Sequence, residues 1–187
     1  MAASQRRLSS SQRARISYDL GLVPLPVDVA RRMLDGGLRP ELNTLRPELV
    51  EGQPPWHAEY PLPDSLYAIA MAHGAHQLMT GKVHEPPAWW VHQIVVHGVV
   101  VGDIGFHGPP DSGRTVEIGY SVVPAWRGCG VASRACELIL QRAWQDGAEI
   151  VIAETDHDNV ASQAVLLRNG FRRRSDGVFM IMRPEAR

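Results

Sequence analysis

Apolar positions recur at two spacings in this chain, every second residue in some stretches and every third or fourth in others. The stretch ISYDLGLVPLP reads as a first strand, closed by Pro24 and Pro26. Residues 27–34 follow a helical pattern that stops at Gly36 and Gly37. Pro61-Leu62-Pro63-Asp64 caps a second helix over about residues 65–79, with Leu66, Ile69, Ala70 and His73 on one face. WWVHQIVVHGVVVGDIGF holds two β-rich runs around His97-Gly98, the pattern of a tight hairpin. GPPDSG makes the next turn, and TVEIGYSV (residues 115–122) another strand. VVPAWRGCGVA leads into a helix that runs to about Gln145 and ends at Asp146-Gly147. EIVIAET (residues 149–155) reads as a buried strand, and NVASQAVLLRNGF as a helix stopped by Gly170. Residues 171–174 and 178–182 flank Ser175-Asp176-Gly177 as a final hairpin. This order predicts a mixed α/β (α+β) fold, three layers built around one sheet.

The length of 187 residues, with 44% hydrophobic and 21% charged positions, fits one soluble globular domain with its own core. No linker divides residues 16–187. Residues 1–15 carry Arg6, Arg7, Arg13 and Arg15 and no acid, and read as a disordered basic tail. The motif LRPEL occurs at residues 38–42 and again at 45–49. Two copies are too few for a solenoid, and each proline breaks a heptad helix, so the pair reads as a kinked insertion. A net charge of -1 gives no basic field for nucleic acid. It also argues mildly against a dedicated polycationic acceptor. No apolar run reaches the length of a membrane-spanning helix. Cys129 and Cys136 are the two cysteines, too close together for a disulfide framework, so a reducing cytoplasm is expected. Lys82 is the only lysine among 19 basic residues, a usage that suggests a bacterium.

The glycines of VVPAWRGCGVA stand at a helix N-terminus, where unpaired amides and the helix dipole favour an anion, most often phosphate. A nucleoside-triphosphate loop fails, because the residue five before Gly81 is His76 and not glycine. A dinucleotide fingerprint is incomplete, since Ser133 stands where its third glycine belongs. Arg127-Gly128-Cys129-Gly130-Val131-Ala132 instead resembles the [Q/R]-x-x-G-x-[G/A] pyrophosphate loop of the GNAT family of N-acetyltransferases. EIGYSVVPAWRG before it, Asn159-Val160-Ala161-Ser162 after it and Asn169-Gly170-Phe171 resemble the ribosomal-protein-acetyltransferase-like branch. The likeness is good over about residues 95–171 and holds only in outline before them.

The resemblance implies a GNAT-like three-layer fold. Its central mixed, mostly antiparallel sheet has about seven strands, helices on both faces and a splay between the fourth and fifth strands. It implies acetyl-CoA as co-substrate and no metal. Amides from Gly128 through Cys129, Gly130 and Val131 to Ala132 would cradle the pyrophosphate, with Arg127 beside them. Gly130 and Ala132 would be small to admit phosphate oxygens. Tyr120, Ser121 and Val122 would pair with the pantetheine arm as an added strand, with Asn159 and Ser162 on its far side. The reaction is direct transfer of acetyl to a primary amine of a small molecule or protein N-terminus. Direct transfer needs a base, an oxyanion donor and an acid for the thiolate. Glu117 and His107 are rival bases, and the N–H near Tyr120 or Ser121 would face the oxyanion. Cys129 needs no covalent role. Many family members carry a tyrosine seven residues after the asparagine. Leu166 stands there in this chain, so Ser162 or a water would replace it.

Other expectations follow from single features. The missing tyrosine supports an alternative, a weak or inactive acyl-CoA sensor or interaction domain. His73, His76 and His84-Glu85 have a spacing seen at zinc sites, but no paired C-x-x-C or H-E-x-x-H accompanies them. Trp89-Trp90 reads as packing more than as an acceptor wall. Arg172-Arg173-Arg174 reads as a solvated hairpin face, the middle side chain opposite its neighbours. The expected partners are acetyl-CoA, an amine acceptor and a second copy of the chain, with neither nucleic acid nor membrane.

Overall fold

The computed structural model describes residues 19–35, 53–80 and 85–185. The basic tail, both LRPEL copies, Lys82 and His84 lie outside them. Seven strands form one sheet in the order β1-β2-β3-β4-β5-β7-β6. They are β1 (Leu20–Pro24), β2 (Val91–Val96), β3 (Val99–Phe106), β4 (Thr115–Val122), β5 (Ile150–Ala153), β6 (Arg172–Arg173) and β7 (Phe179–Met182). Every neighbouring pair is antiparallel except β4 and β5, which run parallel. Among the described residues four α-helices accompany it: α1 (Val27–Asp35), α2 (Pro63–Thr80), α3 (Val131–Gln145) and α4 (Val160–Arg168). This is the mixed, mostly antiparallel sheet that the sequence predicts.

Alternation along β4 assigns the two layers of helices. Ser121 touches Ser65 of α2, whereas Tyr120 touches Ser162 of α4. Successive strand residues point to opposite faces, so α2 and α4 lie on opposite sides. α3 packs on α4 and against β1, β3 and β4. The core between the layers is continuous, from Ile94, Ile104 and Ile118 in the sheet to Ile139 of α3 and Ile69 of α2. Burying each such side chain contributes about 1.5–3 kcal/mol.

The hairpin at His97-Gly98 forms as expected, with φ of 51° and 77° at the two turn residues. Two expectations need correction. In α2 the buried positions are Ser65, Ala68, Ile69, Ala72 and His76, and Ala70 is exposed. The helical face is rotated because the polar Ser65 and His76 are buried with partners, which a hydrophobic count does not register. The strand expected over residues 149–155 spans only Ile150–Ala153, so Glu154 and Thr155 are released to line a cleft.

Candidate active site

The register of β4 against β5 is Thr115↔Ile150, Val116↔Val151 and Glu117↔Ile152, and it stops there. Beyond Glu117, β4 keeps pairing with β3 through Gly102↔Val122 but has no strand partner on its other edge among the described residues. This is the splay between the fourth and fifth strands. The amide of His107 donates to the Glu117 carbonyl at 3.0 Å, and that of Val123 to the Val101 carbonyl at 2.9 Å. Bonded and non-bonded pairs alternate in an antiparallel ladder. Residues 117, 119, 121 and 123 therefore turn their amides and carbonyls toward β3. Tyr120 and Val122 turn theirs into the gap. Of the two expected oxyanion donors, the Tyr120 amide faces the gap and the Ser121 amide does not.

The loop after β4 closes one end of the gap. Arg127 donates from Nε to the Val122 carbonyl at 2.8 Å, which fixes the strand end to the turn. Gly128 and Gly130 have φ of 72° and 89°. A β-carbon on either would meet nothing within 4 Å. Left-handed backbone, not crowding by the protein, is what calls for glycine there. None of the amides from Gly128 to Ser133 bonds to a backbone carbonyl of the described residues, so they form a cluster of donors at the α3 N-terminus. A cleft of about 470 Å³ runs past this cluster, lined by Tyr120, Ser121, Val122, Arg127, Gly128, Gly130, Val131, Ala132, Asn159 and Ser162. Of the residues assigned to the cofactor from sequence, Cys129 alone is not in its wall. The Cys129 thiol turns back to the Arg127 carbonyl at 3.4 Å.

Asn159 caps α4, its Oδ1 accepting from the Ser162 amide at 3.1 Å. That bond presents Ser162 to β4. The Tyr120 hydroxyl donates to the Ser162 carbonyl at 3.1 Å and shares a 2.8 Å bond with the Ser162 hydroxyl. Burial pushes the Tyr120 phenol up to about 12, so it keeps its proton. Leu166, at the tyrosine position of the resemblance, is fully buried one turn further on.

A second cleft of about 410 Å³ opens between α2, β4 and the segment that follows β5. Its wall includes Asp103, His107, Gly119, Glu154, Asp156 and Leu166, and it shares Asp64, Tyr120, Asn159 and Ser162 with the first. The two clefts thus meet where β4 and β5 part. His107 and Glu117, taken from sequence as rivals, form one pair with Nδ1 and Oε1 at 3.2 Å. His107 lines the cleft and Glu117 stands behind it. A β-carbon on Gly119 would lie 2.7 Å from His107 Nε2, so the ring depends on that glycine. Tyr67 of α2 covers the ring edge-on, with centroids 6.3 Å apart.

Sequence reasoning missed Asp103. It is 1% exposed, on the same face as Ser121 and Gln93. The Leu62 amide donates to Ser65 Oγ at 3.2 Å, Ser65 and Ser121 hydroxyls share a 2.9 Å bond, and Ser121 donates to Asp103 Oδ1 at 3.2 Å. Burial pushes the Asp103 carboxyl up to about 6, against hydrogen bonding that favours its charged form. The signal was present: an acid within the apolar run VVVGDIGF.

Other side chains have structural roles. Trp90 is fully buried and donates from Nε1 to the Leu25 carbonyl at 2.7 Å, and Trp89 packs edge-on against Phe106 at 4.9 Å. Neither lines a cleft. His76 Nε2 is 2.7 Å from the Trp89 carbonyl, and no group of metal-ligating side chains occurs among the described residues. Residues Arg172 and Arg173 are exposed. Among the described residues no helix is long and apolar enough to cross a membrane.

A search of curated protein sequences finds no match to this chain. Among solved structures, Mycobacterium smegmatis RimJ in complex with CoA-disulfide is similar at a TM-score of 0.54 and 21% identity. That match covers 87% of this chain and 81% of that one. A ribosomal-protein-S5-alanine acetyltransferase from Vibrio fischeri is similar at 0.57 and 12% identity, covering 89% and 94%. RimL, a ribosomal L7/L12 alpha-N-protein acetyltransferase in complex with coenzyme A, is similar at 0.55 and 15%, covering 89% and 96%. These likenesses establish the fold. This chain spans 65% of the length of a Bacillus anthracis GNAT acetyltransferase and 62% of another acetyltransferase that it also matches. The model of the acetyltransferase (GNAT) domain matches residues 46–172. The chain belongs to the GNAT acetyltransferase family.

Proposed function

We propose that this protein transfers an acetyl group from acetyl-CoA directly to a primary amine of a small molecule or a protein N-terminus. One observation carries the reading: two clefts meet where β4 and β5 separate, sharing Asp64, Tyr120, Asn159 and Ser162. One is built from main-chain amides, which suit a diphosphate. The other is lined by Asp64, Asp103, Glu154 and Asp156, which suit a cationic amine and not a nucleic-acid backbone. Solved relatives in complex with CoA or acetyl-CoA add support for the co-substrate.

The residues divide the work as follows. Amides from Gly128 to Ala132 bind the diphosphate, and Tyr120 and Val122 offer main-chain groups to the pantetheine arm. His107 is the base: Glu117 holds its Nδ1–H, which leaves Nε2 to take the proton of the attacking ammonium. The freed amine attacks the thioester carbon. The Tyr120 amide donates to the oxygen that gains charge. As the carbon–sulfur bond breaks, the nitrogen passes its surplus proton through the Tyr120 and Ser162 hydroxyls to the departing thiolate, so that both hydroxyls end protonated. That hydroxyl pair supports turnover over an inactive acyl-CoA sensor, because it supplies the proton that Leu166 cannot. Free Cys129 and Cys136, with arginine in place of lysine, fit a bacterial cytoplasm.

The test is release of coenzyme A thiol from acetyl-CoA over a panel of amines and short peptides. Turnover on an amine that falls at least about 100-fold in His107→Gln is expected. Binding of acetyl-CoA without turnover on any acceptor would favour the sensor.

A further inference from the structure

The buried stripe of α2 reads Ser65, Ile69, Ala72 and His76, spaced four, three and four residues apart. Its two middle positions are apolar, and apolar packing is non-directional, so it fixes no register by itself. Its two end positions are polar, and each bonds to the sheet or the chain entering it. Ser65 Oγ and Ser121 Oγ of β4 lie 2.9 Å apart, and His76 donates from Nε2 to the carbonyl of Trp89, just before β2, at 2.7 Å. Ser65 also accepts from the Leu62 amide at 3.2 Å, which ties the first turn of the helix to the same hydroxyl. Ser121 in turn donates to the buried Asp103 of β3 at 3.2 Å. Such bonds add little net stability, but a shifted helix would leave buried polar groups unpaired. A polar group in an apolar seam therefore selects one register.

The turn held by Ser65 is also the one that shapes the second cleft. Asp64, Tyr67 and Ala68 are the part of its wall that α2 supplies. Tyr67 stands edge-on to the His107 ring yet is 62% exposed. Its place over the imidazole therefore depends on where the helix backbone sits, not on burial of its own side chain. We propose that Ser65 is a positioning residue for the acceptor. Through Ser121 and Asp103 it pins the first turn of α2 to β4 and β3, and so sets the fit of the cleft and the place of Tyr67 against His107. His76 pins the helix eleven residues further on, about 16 Å along its axis, and serves the fold alone. The bearing on acceptor choice rests on the acetyl-transfer reading, whereas the pin itself does not.

The experiment compares Ser65→Ala with His76→Ala, and takes Tyr67→Ala as the reference for a lost ring contact. Both pin variants should lower the melting temperature, since each removes a buried hydrogen bond. Only Ser65→Ala should alter acceptor selectivity. The ratio of kcat/KM for n-butylamine to that for cyclohexylmethylamine should shift at least about fivefold, mostly through KM, against less than about twofold in His76→Ala. The NMR signals of the His107 imidazole should move in Ser65→Ala in the same direction as in Tyr67→Ala, and stay in place in His76→Ala. Ser65→Cys guards against a variant that does not fold: it nearly keeps the side-chain volume, replaces the hydroxyl by a weak donor and should move the same signals by less. Equal selectivity changes in the two pin variants would make selectivity follow stability and overturn the proposal. Unmoved imidazole signals in Ser65→Ala would overturn it too and leave acetyl transfer standing. Moved signals with no thiol release on any amine would uphold the pin and remove the activity.

Discussion

The two clefts are made of different material. The first is main chain: amides at a helix N-terminus, a strand edge without a neighbour, glycines with left-handed φ. The second is side chain: His107 on Glu117, Asp103 on a serine relay, Tyr67 from another helix. Main chain offers the same groups whatever residue supplies them, so the first cleft suits a constant co-substrate. Side chains differ at each position, so the second suits a particular acceptor. The contrast also has an electrostatic side, since the second cleft adds Asp103, Glu154 and Asp156 to the Asp64 that both share.

The largest expected effect separates the clefts kinetically. His107→Gln should lower kcat at least about 100-fold and leave the Kd for coenzyme A within twofold. Glu117→Gln should lower it about tenfold, as expected of a group that orients the imidazole. Loss of coenzyme affinity in either variant would break the division of labour.

Acid titration sharpens it next. The folded pKa of Asp103 is raised from 3.8 to about 6, so the fold binds more protons than the unfolded chain between those values. Its contribution to stability is therefore lost as pH rises through that window, by up to about 3 kcal/mol. Denaturant titrations should find that Asp103→Asn removes this loss.

Gly130→Ala tests the main-chain cleft. At φ of 89° a β-carbon is strained though nothing obstructs it. The variant should lose about 1–2 kcal/mol of stability and about tenfold in coenzyme affinity, with the KM for amine unchanged. Calorimetric titration and thermal melts read both. Tyr120→Phe should have the smallest effect. Breaking its bond with Ser162 should cost about 1 kcal/mol of stability and several-fold in kcat, with coenzyme affinity within twofold.

The same contrast explains what was legible in the sequence. Glycines at a helix mouth announce a backbone-built seat, because φ constraints are local. The run from Arg127 to Ala132 therefore pointed to its cleft, although Cys129 is not in that wall. The splay was legible through the resemblance, but its depth depends on β5 stopping at Ala153, which EIVIAET conceals. The acceptor cleft joins residues distant in the chain, such as Asp64 with Asp103 and His107 with Glu117. No spacing rule brings those together. The pairing of Glu117 with His107 was illegible for that reason: the turn between β3 and β4 folds one onto the other. Net charge is silent for the same reason, since -1 over the whole chain hides four acids in one cleft.

A crystal structure with coenzyme A bound tests the central claim most directly. Density should run from the Gly128–Ala132 amides, carrying the diphosphate, into the gap beside Tyr120 and Val122, and end near Ser162. A diphosphate seated elsewhere, with β4 and β5 unoccupied between them, would contradict the account.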